Sequence, residues 1–545
     1  MASGLETQTQ RPDWAVSALA ARRLALPAGV ALVTIAAAAF LLHQLMAWPP
    51  HEDETLALFA GRNSLVGVVD QVMTERGGAP LHFLLAWSVA HTGLGLGALR
   101  LLSATFAVAT LPLVAVLAVR LAGRNTALLA TAFAAASWIF LFHGVYGRMY
   151  SLFLFLSLLS YLALLRALDR GGWGWAGWCA AALATVAAHP YGALVLASQA
   201  AFVLVARRDR LRQALVAGVV VGVLGIPFWL TDVVLAGRFE VGVGSGGTKL
   251  SGPAALAEYL WHTAGDFSSG WWPVLVAVLA LAALGLGTLG REARALSICV
   301  AAVPVAALGA AELGGSASPE SRHLIFALPF FAVLVAAGVV RATRGVPVLA
   351  AVIALALVVA ELAWAWQRTP PLFEWEPDAR QAARADAQAW LARTSRPDDL
   401  LFGYEPLFLG AWEDNRDFPS TVLPRADTNL TLRTLLRRER PLGRGVWVFD
   451  ASERNNLNPA LEIEARSPTP EAAFAIARFG PFLVVRTREP VGTPQRYLLL
   501  AGRAELLGRS LGIGDADVNL LTVERADRAL RGYGASLRSL SSTSR

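Results

Sequence analysis

Pro80-Leu81-His82-Phe83-Leu84-Leu85-Ala86-Trp87-Ser88-Val89-Ala90-His91, running on through Gly93 and Gly95 to Gly97, is the stretch on which the fold turns. It is apolar enough for a membrane span, yet it carries two histidines and a run of helix-weakening glycines. Whether it crosses decides the side of the membrane on which each later loop falls. If 80–97 stays on one side, spans run near 27–48, 99–121, 126–142, 149–168, 173–188, 191–206, 213–230, 273–290, 295–311, 323–340 and 346–366. That makes about eleven crossings by the span-length rule. The compact arginine clusters then share one face: Arg22-Arg23, Arg120 with Arg124, Arg166 with Arg170, Arg207-Arg208 with Arg210 and Arg212, Arg291 with Arg294, and Arg341 with Arg344. Such a bias marks cytoplasmic loops. If 80–97 crosses, the later loops invert and the bias fails repeatedly. The non-crossing reading wins, with the N-terminus cytoplasmic.

Composition agrees with a polytopic α-helical membrane protein. The chain has 545 residues, of which 55% are hydrophobic and 16% charged, with a mean hydropathy of +0.50. A net charge of +7 and a pI near 9.9 would suit a nucleic-acid binder. Here the basic residues sit in short clusters between apolar runs, so membrane lipids and not nucleic acid are the expected partners. Lys249 is the single lysine, an arginine bias that points to a bacterium with a GC-rich genome and so to its inner membrane. Cys179 and Cys299 lie within apolar runs and imply neither a disulfide framework nor a thiolate metal site. The first apolar run is long and preceded by Arg22-Arg23, as in a retained span and not a cleaved leader.

These readings divide the chain. Residues 1–26 are expected to be a disordered cytoplasmic tail, 27–366 the transmembrane domain, and 48–98 its first outer loop, with an amphipathic surface helix over 54–69. Residues 367–530 are rich in charge and proline and have no spanning run, so an extracytoplasmic α/β domain is expected there. Its helix 378–394 places Ala383, Ala387, Trp390 and Leu391 on one face. Short apolar runs at 399–404, 445–450 and 482–487 suit buried strands, alternating with helices near 469–478 and 494–507. The tail 531–545 is expected to be disordered.

The chemistry-bearing residues collect on the outer face. His51-Glu52-Asp53-Glu54 stands where the first span leaves the bilayer, and adjacent carboxylates repel unless cations or a substrate sit nearby. A solvated loop is the plain alternative for such a cluster taken alone. All eight histidines (His43, His51, His82, His91, His143, His189, His262 and His323) fall at or toward that side. Asp53, Glu54, Arg76, Arg148, Asp232, Asp266, Glu320 and Arg322 do as well. A set converging on one leaflet implies a polar cavity open to the outside.

Six short motifs then appear in order between about residues 48 and 340. They are Asp53-Glu54, Ala79-Pro80-Leu81-His82, Arg100-Leu101-Leu102-Ser103, Tyr146-Gly147-Arg148-Met149-Tyr150, His189-Pro190-Tyr191, and Arg322-His323-Leu324 leading to Leu328-Pro329. Together they resemble the GT-C glycosyltransferases of the family 39 type, which include protein O-mannosyltransferases and the aminoarabinose transferases of lipid A. The chain departs from that pattern where Tyr146 stands for a glutamate, Ala79 and His82 for proline and tyrosine, and His323 for tyrosine.

The resemblance implies a GT-C fold and transfer of a sugar from a polyprenyl-phosphate donor to a protein, lipid or glycan acceptor at the outer face, with inversion. In-line displacement needs a carboxylate to take the acceptor proton, a role that falls to Asp53 with Glu54 orienting it or the acceptor. Arginine suits the leaving phosphate, which points to Arg148 and Arg322, with His189 and Arg76 as second choices. The plain alternatives are an interfacial Arg148 snorkelling to headgroups and an Arg322 paired with Glu320. His51, His82, Tyr146, Tyr150 and His323 would line the acceptor side or the cavity. No cofactor is required, and a divalent metal is left open, because His51 to Glu54 offer ligands without diagnostic spacing. Two other functions stand beside this one. A degenerate GT-C-like binding or assembly subunit would fit the Tyr146 departure. A lipid-linked sugar transporter would need midplane ionisable groups or repeated halves, and the sequence displays neither.

Overall fold

In the computed structural model the described residues are 13–239, 250–313, 319–425, 427–439, 441–451, 472–513 and 515–543. Six helices are long and apolar enough to cross a membrane: Ala25–His43, Leu96–Ala122, Tyr150–Arg170, Arg291–Leu313, Ser321–Ala342 and Pro347–Arg368. Three further candidates are bent pairs, Arg124–Ala136 with Trp138–Val145 (58°), Arg208–Leu224 with Ile226–Ala236 (60°), and Pro253–Phe267 with Trp272–Thr288 (88°). Counting each pair as one span gives nine. The last two of the expected eleven are Trp173–Ala188 and Gly192–Ala206, helices of 16 and 15 residues. These are the helices of an integral membrane protein.

The 80–97 stretch holds only the 12-residue helix Pro80–His91, too short to span. Ala79 enters it with a left-handed φ of 39°, a costly conformation for a residue with a Cβ, and so aims the helix that carries His82. Four of the loops that carry arginine clusters meet at one end of the bundle. Arg120 pairs with Asp169, and Arg207 bridges Asp169 at 3.5 Å, Asp209 at 3.4 Å and Glu292 at 3.8 Å. Loops from four separate helix ends therefore lie at a single face.

Several expectations are corrected. The N-terminal tail is helical from Asp13, because the alanine-rich run from Ala15 to Ala25 extends the first span backwards; residues 1–12 lie outside the described residues. The surface helix over 54–69 is instead two helices, Glu52–Gly61 and Leu65–Gln71. Ser64 breaks the run by capping the second, accepting the Gly67 amide at 3.1 Å. The first is mostly buried between Pro80–His91 and the C-terminal domain.

The C-terminal domain is built on a five-stranded sheet of order β2-β1-β3-β5-β4. Its strands are β1 Leu400–Phe402, β2 Val422–Leu423, β3 Gly445–Asp450, β4 Phe474–Phe479 and β5 Phe482–Thr487. The pairs β1–β2 and β1–β3 are parallel, while β3–β5 and β4–β5 are antiparallel. The expected helix near 469–478 is in fact β4. Gly480-Pro481 turns it directly onto β5, so Phe479 faces Phe482; residues 469–471 lie outside the described residues. Helix Asp378–Thr394 agrees with the sequence reading, and Pro494–Ser510 begins where expected and runs three residues further. The expected disordered tail is part of the helix Asp515–Thr543. Val523, Ala526 and Leu530 recur at helical spacing and are buried, which carries that helix past Arg531; residues 544–545 are outside the described set.

The two faces of the sheet do different work. One buries Phe402, Trp447, Phe449 and Tyr497 with the two C-terminal helices. The other packs Leu401, Val446 and Val448 with Phe408, Trp412 and Phe418, and this cluster continues into Ala57, Leu58, Phe59 and Leu99. The C-terminal domain is thus welded to the 52–99 segment by a shared core. Polar contacts reinforce the joint. Arg62 donates to the Phe418 carbonyl at 2.5 Å and the Pro419 carbonyl at 2.8 Å, and Glu413 accepts the Leu96 amide at 2.7 Å.

Candidate active site

Helix Glu52–Gly61 begins at the cluster His51 to Glu54, and its cap separates the two acids. His51 Nδ1 accepts the Asp53 amide at 3.2 Å, and Glu54 Oε2 accepts the His51 amide at 3.0 Å. This reciprocal cap places Asp53 and Glu54 on different sides of the first turn.

Glu54 points inward. Arg100 grips it with two bonds, Nε to Oε1 at 2.8 Å and Nη2 to Oε2 at 2.7 Å, and both side chains are fully buried. The same guanidinium donates to the carbonyls of Leu45, Trp48 and Pro49, so it also stitches down the exit of the first span. Glu54 Oε1 further accepts the Gly147 amide at 2.7 Å. A Cβ at Gly147 would stand 2.9 Å from that oxygen, which is why the backbone there carries no side chain. Glu54 therefore organises three chain segments and has no free lone pair aimed at solvent.

Asp53 points outward and meets the 146–150 loop. Its Oδ1 lies 3.2 Å from Arg148 Nη1, and its Oδ2 accepts the Tyr146 hydroxyl at 2.9 Å. That hydroxyl is also 2.9 Å from His51 Nδ1. Burial alone would raise the Asp53 pKa, but Arg148, His51, Arg322 and the Tyr146 hydrogen bond outweigh it and hold the carboxyl at about 2. Tyr146 moves the other way. Burial and the adjacent Asp53 charge push its phenol well above the usual range, so it stays a donor.

Behind this pair lies a ring of aromatic and histidine side chains. Tyr150 is buried and touches the rings of His143 (4.6 Å), His189 (5.5 Å) and His323 (6.3 Å). Arg322 lies over the Tyr150 face at 5.2 Å and is paired with Glu320 at 2.6 Å. Arg148 and Arg322 thus flank one tyrosine, and both keep a buried Nε without a hydrogen-bond partner. His323 is set by the Glu320 amide, which donates to its Nδ1 at 3.0 Å, and stacks on Tyr191 at 4.8 Å. His189 accepts the Tyr191 amide at 3.1 Å and stacks on Phe153. Burial, aided by the two arginine charges, pushes its pKa down to about 3. His82 is likewise lowered to about 3 by burial and by Arg148, against a smaller opposing pull from Asp53. Both are neutral rings at ordinary pH.

The structure therefore brings Asp53, Arg148, Arg322, Tyr146, Tyr150, His51, His82, His189 and His323 into one neighbourhood. Arg76 is held elsewhere. It is buried in a π-helical turn, Val72–Arg76, donates to the Tyr404 hydroxyl and lies over that ring at 4.9 Å. That turn faces it to the C-terminal domain.

Three contributors escaped the sequence reading. Arg100 stood within a quoted motif, and an arginine opening an apolar run is itself a sign of a buried partner. His143, buried with both ring nitrogens unpartnered, was only one of eight histidines. Asp266 accepts the Ser321 hydroxyl at 2.5 Å and pairs with Arg368 at 2.9 Å, which ties the segment bearing Arg322 to the last span. No sequence signal links those three positions.

A metal does not fit this donor set. Glu54 is consumed by Arg100 and Asp53 by Arg148 and Tyr146, and among the described residues no three acidic, histidine or cysteine side chains gather as ligands. Chemically, the site offers one ionised carboxylate beside two guanidinium groups in a mostly buried pocket. That set can accept a proton at one point and neutralise an anion at another.

No family model matches the sequence, and no curated protein matches it either. Solved structures do match. ArnT from Cupriavidus metallidurans bound to undecaprenyl phosphate superposes with a TM-score of 0.59 at 14% identity, over 84% of this chain and 97% of that one. Its apo state gives 0.58 at 15% identity, over 85% and 98%. The mycobacterial arabinofuranosyltransferase AftD gives 0.50 at 15% identity, over 85% of this chain and 40% of that one. At these identities the likeness speaks to architecture, and the architecture is that of the GT-C fold, a membrane helical domain carrying a C-terminal α/β domain.

Proposed function

We propose that this protein is an integral-membrane glycosyltransferase that moves a sugar from a polyprenyl-phosphate donor to an acceptor hydroxyl, inverting the anomeric carbon. The observation that carries the reading is the Asp53–Arg148 pair, 3.2 Å apart, with Arg322 close by across the Tyr150 ring. A base and a phosphate clamp side by side are what an in-line displacement from a phosphate leaving group needs. ArnT, of the same fold, is known with undecaprenyl phosphate bound.

In the resting site Arg148 neutralises Asp53. A donor phosphate competes for that guanidinium, and Arg322 adds a second cation. Asp53 then loses its main counter-charge and becomes a stronger base, poised by the Tyr146 hydroxyl. It takes the proton of the acceptor hydroxyl as that oxygen attacks the anomeric carbon. The carbon–oxygen bond to phosphate breaks on the opposite side, and the polyprenyl phosphate leaves with its charge held by Arg148 and Arg322. Glu54 serves this step indirectly, by fixing the helix that presents Asp53. We further assign the site to the extracytoplasmic face of a bacterial inner membrane, because the arginine-rich loops gather at the other end.

The test is transfer or hydrolysis of radiolabelled polyprenyl-phosphate sugars by purified protein in detergent, wild type beside Asp53→Asn. Turnover that collapses in the variant, with donor binding kept, supports the reading. Failure of the wild type to bind any such donor would overturn it.

A further inference from the structure

A second cavity lies between the first outer loop and the C-terminal domain, with a volume of about 210 Å³. Asn63, Gln71 and Glu75 line it from the loop, and Tyr404, Thr421 and Thr434 from the domain. Its chemistry differs from that of the site at Asp53. The wall is made of amides, hydroxyls, the Glu75 carboxylate and the Arg76 guanidinium, with the Phe59 and Tyr404 rings and the aliphatic Val422 and Leu430 among them. Asn63 Nδ2 donates to Gln71 Oε1 at 3.1 Å, which sets the two amides side by side. Tyr404 is fixed by Arg76, whose guanidinium lies over its ring and donates to its hydroxyl. Glu75 and Arg437 face each other at 3.8 Å and link loop to domain.

Such a lining selects its occupant. A lipid tail would meet too much polar surface. A phosphate would meet the Glu75 carboxylate in the same wall as Arg76, whose guanidinium is held on Tyr404. Amides, hydroxyls and a carboxylate, by contrast, form paired hydrogen bonds with the neighbouring hydroxyls of a sugar. Position agrees with chemistry. Phe59 and Ala60, which also line the cavity, lie on the helix that begins at Glu52, so its wall is roughly 10 Å along the axis from Asp53. The cavity is smaller than the roughly 300–1,000 Å³ of a drug-sized pocket, which suits a short saccharide segment.

We propose that this cavity is an acceptor subsite for a neutral glycan, holding the sugar units next to the one whose hydroxyl reaches Asp53. The inference rests on the transferase reading for its role in the reaction, while the binding site itself can be tested alone.

The experiment measures binding of soluble mannose and arabinofuranose hexasaccharides to the full-length protein in detergent, by saturation-transfer NMR. Wild type is compared with Gln71→Ala, a mild change at a partly exposed side chain, and Thr434→Trp, which fills the cavity; thermal unfolding checks that each variant is folded. At least one glycan is expected to bind wild type, with affinity lowered tenfold or more in both variants. Absence of glycan binding, equal binding by wild type and variants, or displacement by a serine-containing peptide each overturns the proposal. Undecaprenyl-phosphate binding by the same preparation reports separately on the transferase reading. If that lipid binds and no glycan does, only the subsite falls; if the glycan binds and the lipid does not, the glycan-binding site stands, and its acceptor role falls with the transferase reading.

Discussion

Arg100 holds Glu54 through two hydrogen bonds of 2.8 and 2.7 Å in a place neither side chain shares with solvent. The more deeply placed acid of the Asp53-Glu54 pair is therefore a structural support, which leaves Asp53 as the acid for the proposed base. Removing one partner strands a buried charge, which costs about 3–5 kcal/mol. Arg100→Met and Glu54→Leu are each expected to lower the unfolding midpoint sharply. The double variant is expected to lose less than the sum of the two, because no charge is stranded. Thermal unfolding of all four proteins in one detergent checks this, and strict additivity would count against it.

Asp53 is partly exposed, so its change should cost less stability than that of the fully buried Glu54. Asp53→Asn keeps a hydrogen-bond acceptor for Tyr146 and removes the base. Turnover is expected to drop by about 10²–10⁴-fold, the usual worth of a positioned acid or base. Single-turnover kinetics with bound donor distinguish this from a binding defect, which would show instead as a lost complex.

Arg148 and Arg322 each present a planar fork that lysine lacks. Hydrogen bonds to charged groups contribute about 1.5–3 kcal/mol. Arg148→Lys and Arg322→Lys should therefore weaken undecaprenyl-phosphate binding about 10- to 150-fold, read by calorimetry or scintillation proximity. Unchanged affinity in both variants would remove the arginines from the phosphate site.

The pH dependence follows from the direction of the shifts. Asp53 is held at about 2, below the ordinary value of 3.8, so its ionised form is the one the fold favours. Its stabilising contribution is present above the unfolded carboxylate value and is lost as pH falls from there through about 2. His82 and His189, lowered to about 3, stay neutral across the same upper range. Donor hydrolysis by wild type should then show no acid limb in kcat/KM between about pH 5 and pH 7, where an unshifted histidine would titrate. A limb near pH 6.5 would assign the titrating group to some other residue.

Helices Trp272–Thr288 and Leu328–Ala342 approach closely enough that side chains are excluded. A Cβ at Gly338 would lie 2.0 Å from the Leu281 carbonyl, and one at Gly285 would lie 1.9 Å from that of Leu334. Gly338→Ala must push two backbones apart, at about 1–3 kcal/mol as in other overpacked cores. A fall in the unfolding midpoint is expected, together with weaker donor binding, since the displaced helix follows directly on the segment bearing Arg322 and His323.

The sequence by itself determined the parts that follow from local pattern. Span lengths and the shortness of the Pro80–His91 helix follow from local hydropathy, helix Asp378–Thr394 was legible from apolar periodicity, and strands β3 and β5 from short apolar runs. Tertiary structure decided what depends on partners distant in sequence. β4 became a strand because Gly480-Pro481 folds it onto β5, and Asp515–Thr543 is a helix because Val523, Ala526 and Leu530 find a buried face. The two adjacent acids looked alike in the sequence. Only the fold, by closing Arg100 on Glu54 and Arg148 on Asp53, buried one of them fully and left the other partly exposed.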